Sequence, residues 1–527
     1  MTTFVLVPGA HTGGWIWEDV AARLREAGAE AHPVTLTGMG GGGRDETDTG
    51  TGTGTGTCTG TDLETHVQDV VRLIDEIGEI GESDGSGAPE VVLVGHCYGV
   101  HPVLGAAARR PGRVARIVYV DTTVPQDGAP ALELIPDQAL RDAVRKRAGE
   151  PGAGAGGPLS PPEPAEWQKW GSLAGIPQDA LDRLTGLAAP QPLATLTRPL
   201  SVPDGAVSEL PTTGILCTAG GAGIALVESL VRMGDPRLLE LVHPRVGFFE
   251  LGTGHWPMLS APEELAAILL RAAADEGHRL SAAPADEPPS HLRPFLLDVP
   301  EQRRERVGRV DLHLPEAGGP RPAVVFVHGG PVPAGARPTP RDWPLYTGYA
   351  QYAASMGAVG VTLDHRLHDV TDYERAAEDV AAAVELVRAD PRVDGERVAL
   401  WLFSGGALLS ADWLAAPPPW LRCVAVTYPV LVPLPNWGLA GSRFRPAAAV
   451  RAAGSLPVVL TRAGREFAEI AATIEEFLTA AGDCGAAVEV IDVPDGRHGF
   501  ETTGPTEQVR DAVERAMRSV LGHLRDS

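Results

Sequence analysis

A cysteine set between two glycines at the end of an apolar run is the residue of this sequence best placed to do chemistry. In "EVVLVGHCYGV" the run Val91–Val94 leads into Gly95, His96, Cys97, Tyr98 and Gly99. A strand that turns sharply into a helix at such a point holds the middle side chain out over the sheet. The glycines keep Cβ atoms clear of the neighbouring strand and helix. A thiol held there can attack a carbonyl carbon; the alternative is a small buried hydrophobe, common for free cysteine. Two further segments favour the nucleophile. "FVLVPGAHTGGWIW" is a strand followed by a Gly-containing loop, whose Ala10 N–H, with that of Tyr98, suits an oxyanion hole. "FFELGTGHWPM" carries His255 in a loop after the nucleophile and ahead of an acidic helix start, the place for a general base.

The elements that must position these residues repeat in two halves. "TFVLVPGAHTGGW" and "AVVFVHGGPVP" are each a strand and a Gly loop; "EVVLVGHCYGV" and "RVALWLFSGGA" are each a strand, a turn and a helical pattern; "FFELGTGHWPM" and "VIDVPDGRHGF" are each a histidine loop. Strands alternating with helix-length segments predict an α/β fold: two tandem domains, each a mostly parallel sheet covered by helices. Chemistry in such a sheet sits at the carboxyl ends of its strands. The expected boundaries are 1–275 for the first domain, a Pro-rich linker at 276–292, and 293–527 for the second. Residues 125–205 interrupt the strand pattern and predict a cap over the first site, whose own Trp167 and Trp170 are expected to be buried against it. The Gly/Thr run at 38–61 is too polar to order itself. Its formal GxGxxG (Gly38, Gly40, Gly43) and a second at Gly152, Gly154 and Gly157 do not open helices, so neither is read as a phosphate loop.

Composition narrows the function. A formal net charge of −24 over 527 residues argues against a nucleic-acid or anionic-membrane surface. The five cysteines (Cys58, Cys97, Cys217, Cys423, Cys484) are odd in number and widely spaced, which predicts neither a disulfide framework nor a zinc site. No metal or cofactor is expected. The opening "TTFVLVPGA" lacks the basic start of a secretory leader, and no apolar run reaches the length of a membrane span, so a cytoplasmic location is expected.

"FVLVPGAHTGGW", "LVGHCYG", "LETHVQDVVRLI" and "GHWPMLSAPEEL" resemble the α/β-hydrolase superfamily over residues 1 to about 272, close to the branch of plant methylesterases and hydroxynitrile lyases. That branch places its catalytic Asp after a strand like "GILCTAGG", where this chain has Ala219, Gly220 and Gly221. Asp121, ending the strand "RIVYVD", is the replacement predicted here; Glu228 and Asp235 are less well placed, and the alternative for Asp121 is a loop cap. A Cys97–Asp121–His255 set on a double-length chain resembles the Dieckmann cyclases that release tetramate and pyridone products from assembly lines. The resemblance implies C–C ring closure of a polyketide–peptide thioester brought by a carrier protein. The competing readings are a cysteine-dependent esterase, lactone hydrolase or thioesterase with the same residues, and a non-catalytic binding protein on the same fold.

The second half resembles the dienelactone-hydrolase and acetyl-esterase side of the superfamily, through "VVFVHGGPVP", "LFSGGA" with Ser404, "VVLTRAGREF" with Glu466 and "GRHGF" with His498. Leu402 stands two residues before Ser404 where glycine is usual, so a crowded turn is expected. On that ground this half is read as a supporting domain for the principal reaction, although Ser404, Glu466 and His498 leave a second site open.

Overall fold

In the computed structural model, which describes residues 2–40, 60–83, 90–125, 127–149, 157–203, 205–221, 223–232, 236–281, 288–439 and 441–525, the apolar runs of the first half form six strands. These are β1 (Thr3–Val7), β2 (Glu30–Pro33), β3 (Val91–His96), β4 (Val114–Val120), β5 (Thr212–Cys217) and β6 (Val246–Leu251). Most of the Gly/Thr run, Cys58, Asp235 and residues 152–156 lie outside the described residues. The strands form one sheet in the order β2-β1-β3-β4-β5-β6, with every pairing parallel. Parallel strands are covered on both faces, which is why β1 and β3 are buried at every position and read as unbroken apolar runs. The chain divides into two units, Met1–Glu228 with Leu238–Ser281, and Ser229–Arg237 with Ala282–Ser527.

The strand order decides where the first unit's chemistry sits. From β1 the chain steps outward to β2, then returns past β1 to β3 and runs the other way. The loops leaving β1 and β3 therefore part and leave a crevice between them. Pro8–Thr12 and the turn Cys97–Gly99 occupy that crevice. Between β4 and β5 the chain makes a long excursion with helices at Gln138–Gly149, Gln178–Leu187 and Leu193–Thr197. Trp167 and Trp170 of this excursion are buried in the unit's core beside Leu184 and Leu196.

The second unit has eight strands: β7 (Arg303–Val307), β8 (Val310–Leu314), β9 (Arg321–Val327), β10 (Val359–Leu363), β11 (Val393–Phe403), β12 (Leu421–Thr427), β13 (Val458–Ala463) and β14 (Val488–Val493). Their order is β14-β13-β12-β11-β9-β10-β8-β7, with β8 antiparallel to both neighbours and the remaining pairs parallel. Alternate residues of β11 enter opposite cores. Val398, Leu400 and Leu402 face one, while Ala399, Trp401 and Phe403 face the other, as the two-residue period of a strand requires. The closing helix Glu507–Arg525 buries Val509, Val513, Met517, Val520 and Leu524 on a single stripe against the second of these cores. The chain reverses direction across the sheet at β9, whose loop His328–Gly330 lies beside the exit of β11 at Ser404.

Candidate active sites

Cys97 opens the turn after β3 in a left-handed backbone (φ 48°) that side-chain-bearing residues rarely adopt. Sterics dictate the glycines around it. A Cβ on Gly95 would stand 2.8 Å from Val100 Cα, and one on Gly99 would stand 2.5 Å from the Pro8 carbonyl oxygen. The strain at Cys97 is the kind that tight packing on both sides must hold in place. The thiol-bearing residue is only 8% exposed.

His255 reaches this turn from the loop after β6. Its Nδ1–H donates to Asp121 Oδ2 at 2.7 Å, and its ring hydrogen-bonds to Cys97 on the other side. Burial pushes the His255 pKa down, but the Cys97 sulfur and the Asp121 carboxylate outweigh it and raise it to about 10. Asp121 is the first residue past β4, also in a left-handed backbone (φ 46°). Its N–H donates to Ile215 O at 2.9 Å and its Oδ1 accepts from Cys217 N–H at 3.1 Å. The neighbouring strand β5 thus holds Asp121 by both its backbone and its carboxylate. Glu228 instead meets His278 Nε2 at 2.7 Å, and Ala219–Gly221 carry no acid. The Cys217 thiol lies by the same carboxylate; burial, with Asp121 adding, pushes its pKa up and keeps it a thiol. On the far side of His255, His96 Nε2–H donates to the His255 carbonyl at 2.7 Å, and burial holds His96 neutral.

The excursion between β4 and β5 closes over these groups. The His255 N–H donates to Ser172 O at 2.8 Å and Gly254 N–H to Ala174 O at 3.0 Å. A Cβ on Gly171 would fall 2.4 Å from His255 Cγ, so only glycine allows this approach. Trp256 meets Trp167 edge to face at 5.6 Å. From the β1 loop, His11 completes the closure, with its Nδ1–H donating to Ala189 O at 2.9 Å and its N–H to Gln191 Oε1 at 2.9 Å. Its ring abuts Trp170 at 4.7 Å. The His11 N–H is therefore committed; the loop approaches the Cys97 turn at Gly9, where a Cβ would stand 3.3 Å from Cys97 Cβ, and Ala10, between the two, is the loop's candidate oxyanion donor. Its partner donor, the N–H of Tyr98, follows Cys97 directly, and the Tyr98 hydroxyl is tied to His66 Nδ1 at 2.6 Å.

The second unit brings together its own set. Ser404 opens the turn after β11 with φ 51°, and its Oγ lies 2.7 Å from His498 Nε2. His498 Nδ1 lies 2.9 Å from Glu466 Oε2. The crowding expected from Leu402 is absent. Its side chain is fully buried in the core between Val327 and Val426, its neighbours in register on β9 and β12. The turn continues as a 3-10 helix over Ser404–Ser410, as the first unit's does over Cys97–Gly99. Ser404 and His498 are half-buried, more open than Cys97. Among the described residues no group of His, Cys, Asp and Glu is placed to hold a metal ion, and no helix is long and apolar enough to cross a membrane. Cys97, Cys217, Cys423 and Cys484 are free thiols.

The sequence profile of the alpha/beta hydrolase family matches residues 4–268. A carbendazim hydrolyzing esterase from Nocardioides sp. (strain SG-4G) is 32% identical over 208 residues, which cover 39% of this chain and 75% of the esterase. The chain belongs to the α/β-hydrolase family. A putative chloroplastic methylesterase 14 of Arabidopsis thaliana is 28% identical over 125 residues, 24% of this hydrolase-family chain and 30% of the plant protein. Among solved structures, a methylesterase from Arabidopsis shares 19% identity with a TM-score of 0.37, covering 52% of this chain and 100% of its own.

Within this α/β-hydrolase fold the sequence pointed to the strand ends but missed the contacts made across them. His11 carries no signal in a one-dimensional reading, because its partners Ala189 and Gln191 lie some 180 residues away. Gly171 shows only as one more residue of a Gly-rich insertion. The buried Glu501, which faces the His498 loop, reads in sequence as one acid among 68.

Proposed function

We propose that the first unit is a cysteine acyl-transfer enzyme that releases a carrier-bound thioester chain by intramolecular C–C bond formation, a Dieckmann closure giving a tetramate or pyridone ring. The observation that carries this reading is a cysteine, not a serine, in the strained turn, bonded to an Asp-held histidine and covered by the cap. Thioester exchange onto Cys97 is nearly thermoneutral, and the acyl-thioester it forms accepts a carbon nucleophile more readily than an oxyester, because sulfur donates less into the carbonyl. His255 takes the Cys97 proton, the thiolate attacks the carrier thioester, and the carrier thiol leaves with that proton while Ala10 and Tyr98 N–H groups hold the oxyanion. His255 then removes the acidic proton between the two carbonyls of a β-ketoamide in the bound chain. The carbanion attacks the Cys97 thioester, the C–C bond forms, the C–S bond breaks, and Cys97 recovers the proton from His255. Proximity within one chain replaces a second substrate, and the cap with Trp167, Trp170 and Trp256 keeps water from the acyl-enzyme. The substrate arrives on an acyl or peptidyl carrier protein, and we place the reaction in the cytoplasm.

The relatedness to a carbendazim hydrolyzing esterase favours a second reading, in which water resolves the same acyl-enzyme and the product is a free acid. Replacing Cys97 by serine separates the two. The oxyester of Cys97→Ser is a poorer acceptor for carbon, so the ring-to-acid ratio must fall, and Cys97→Ala must stop both. A serine variant that cyclises as well as wild type refutes the Dieckmann reading.

We propose in addition that Ser404, His498 and Glu466 form a serine esterase centre of the second unit. The 2.7 Å and 2.9 Å contacts and the half-open serine support it. A fluorophosphonate probe must then label wild type and Cys97→Ala, but not Ser404→Ala.

A further inference from the structure

Behind His498 lies a buried cluster that the chemistry of Ser404 does not itself require. Glu501 is 1% exposed. Its Oε1 accepts from the Tyr349 hydroxyl at 2.8 Å, Tyr428 also hydrogen-bonds to it, and its Oε2 is buried with no hydrogen-bond partner. Among the described residues no ion pair reaches it. Burying an ionised carboxyl group without a cation costs several kcal/mol, relieved only by hydrogen bonds or by uptake of a proton, so one retained at such a place calls for a role.

Tyr428 connects this carboxyl to the histidine. It is the first residue past β12, in a left-handed backbone (φ 36°), and its N–H donates to Thr461 O of β13 at 2.8 Å. Asp121 has the same setting in the first unit. It is the first residue past the strand beside the elbow strand, left-handed, with its N–H bonded to the next strand over. The first unit therefore puts its carboxylate at this strand exit and has none after β5. The second unit puts Glu466 after β13 and a tyrosine at the exit, with a second carboxyl behind the tyrosine. The Tyr428 ring lies 4.9 Å from the His498 ring and 5.1 Å from Phe500.

We propose that Glu501 is a positioning residue of the Ser404 centre, acting on His498 through Tyr428 and, as the carboxylate, favouring the imidazolium that forms when Ser404 gives up its proton. This rests on the reading of Ser404 as a working nucleophile. The groups facing Glu501 are Tyr346 and Tyr349 from the helix Pro344–Ser355, Tyr428 from the β12 exit and His498 from the loop before it; Arg293 donates to the carbonyl of the adjacent Thr502 at 2.9 Å. Burial pushes all three tyrosines up, so they remain neutral donors. Burial likewise raises Glu501, to about 7, and the hydrogen bonds from the tyrosines together with the charge of His498 work against that rise. The carboxylate is thus present above neutrality and lost below it. The same cluster also touches the other side of the site, because the Tyr346 hydroxyl accepts from Gly329 N–H in the β9 loop at 3.0 Å.

The test is the rate of Ser404 labelling by a fluorophosphonate between pH 5 and pH 9 in the full-length protein, with Ser404→Ala as the blank. Wild type is expected to show an inflection near pH 7 for Glu501. Glu501→Gln keeps the shape and hydrogen-bonding reach but no charge. It is expected to lose the inflection near pH 7 and to label roughly tenfold more slowly above it, about 1.4 kcal/mol of lost transition-state stabilisation. Tyr428→Phe keeps the ring over His498 and severs the link to Glu501, so the inflection must shrink there too, and this variant carries the test if Glu501→Gln fails to fold. Unchanged pH profiles in both variants overturn the role of Glu501 while leaving Ser404 as the nucleophile. No Ser404-dependent labelling in folded wild type overturns the serine centre itself, and Glu501's role with it.

Discussion

Replacing Asp121 by asparagine is a sharp test of the first site, because the surrounding hydrogen bonds dictate how the amide must sit. Cys217 N–H donates to Asp121 Oδ1 at 3.1 Å, and it requires an acceptor. The asparagine oxygen must therefore stay on Cys217, which turns the amide NH2 toward His255 Nδ1, 2.7 Å away in the native protein. Two donors cannot face one another, so His255 shifts its proton to Nε2 and presents an N–H, not a lone pair, to Cys97. The general base is lost through its tautomer rather than its position. Charge is lost as well. The rise of His255 from 6.5 to about 10 corresponds to about 5 kcal/mol of preference for the imidazolium, shared between Cys97 and Asp121 and net of burial. Tautomer and charge together predict a loss on the order of 10³ to 10⁴ in the rate of acylation. The assay is single-turnover acylation of Cys97 by an N-acetylcysteamine thioester, followed by intact mass, with circular dichroism to show that the fold is kept. Glu228→Gln, whose carboxylate meets His278 instead, must cost little. Near-native acylation in Asp121→Asn, or collapse in Glu228→Gln, refutes the reasoning.

Three further outcomes follow from the same geometry. Gly171→Ala places a methyl group against the His255 ring, so turnover must fall more than tenfold while Cys97 becomes easier to alkylate with iodoacetamide as the cap is pushed away. His11 is held neutral by burial, its pKa lowered to about 4 against about 6.5 in the unfolded chain, so the unfolded state binds the proton first. The stability this gives is intact above pH 6.5 and is lost as the pH falls toward 4, by roughly 3 kcal/mol; His11→Asn must flatten the slope of urea stability against pH in that window. Ser404→Ala must leave release of the ring product nearly unchanged, whereas Cys97→Ala must abolish it, as followed by mass on one thioester-linked β-ketoamide.

The strand-and-turn plan was legible because parallel strands buried on both faces leave unbroken apolar runs, and because a turn this tight admits few residue types. Both turns, at Cys97 and at Ser404, are of that kind. The position of Asp121 followed from an absence, since Ala219–Gly221 cannot supply a carboxylate, and the two hydrogen bonds between β5 and Asp121 are the physical reason an acid can serve from there. Leu402 misled because the expectation of crowding rested on the glycine usual at that position and not on where the leucine side chain packs. Both turns start as 3-10 helices, and what admits Leu402 is its place in the core between Val327 of β9 and Val426 of β12. His11, Gly171 and Glu501 were illegible for another reason. Each acquires its meaning from a contact far along the chain, Glu501 with Tyr349 across 152 residues, and neither periodicity nor local propensity encodes such a pairing.

The central claim is that an internal carbanion, not water, removes the chain from Cys97. The most direct measurement is to supply wild-type protein with a carrier- or N-acetylcysteamine-linked β-ketoamide thioester in ¹⁸O-enriched water and read the product by mass. The account predicts a ring lighter than the free acid by one water, with no solvent oxygen in it. A free acid carrying one ¹⁸O atom as the main product, formed at a rate that depends on Cys97, would contradict it and make the first unit a thioesterase.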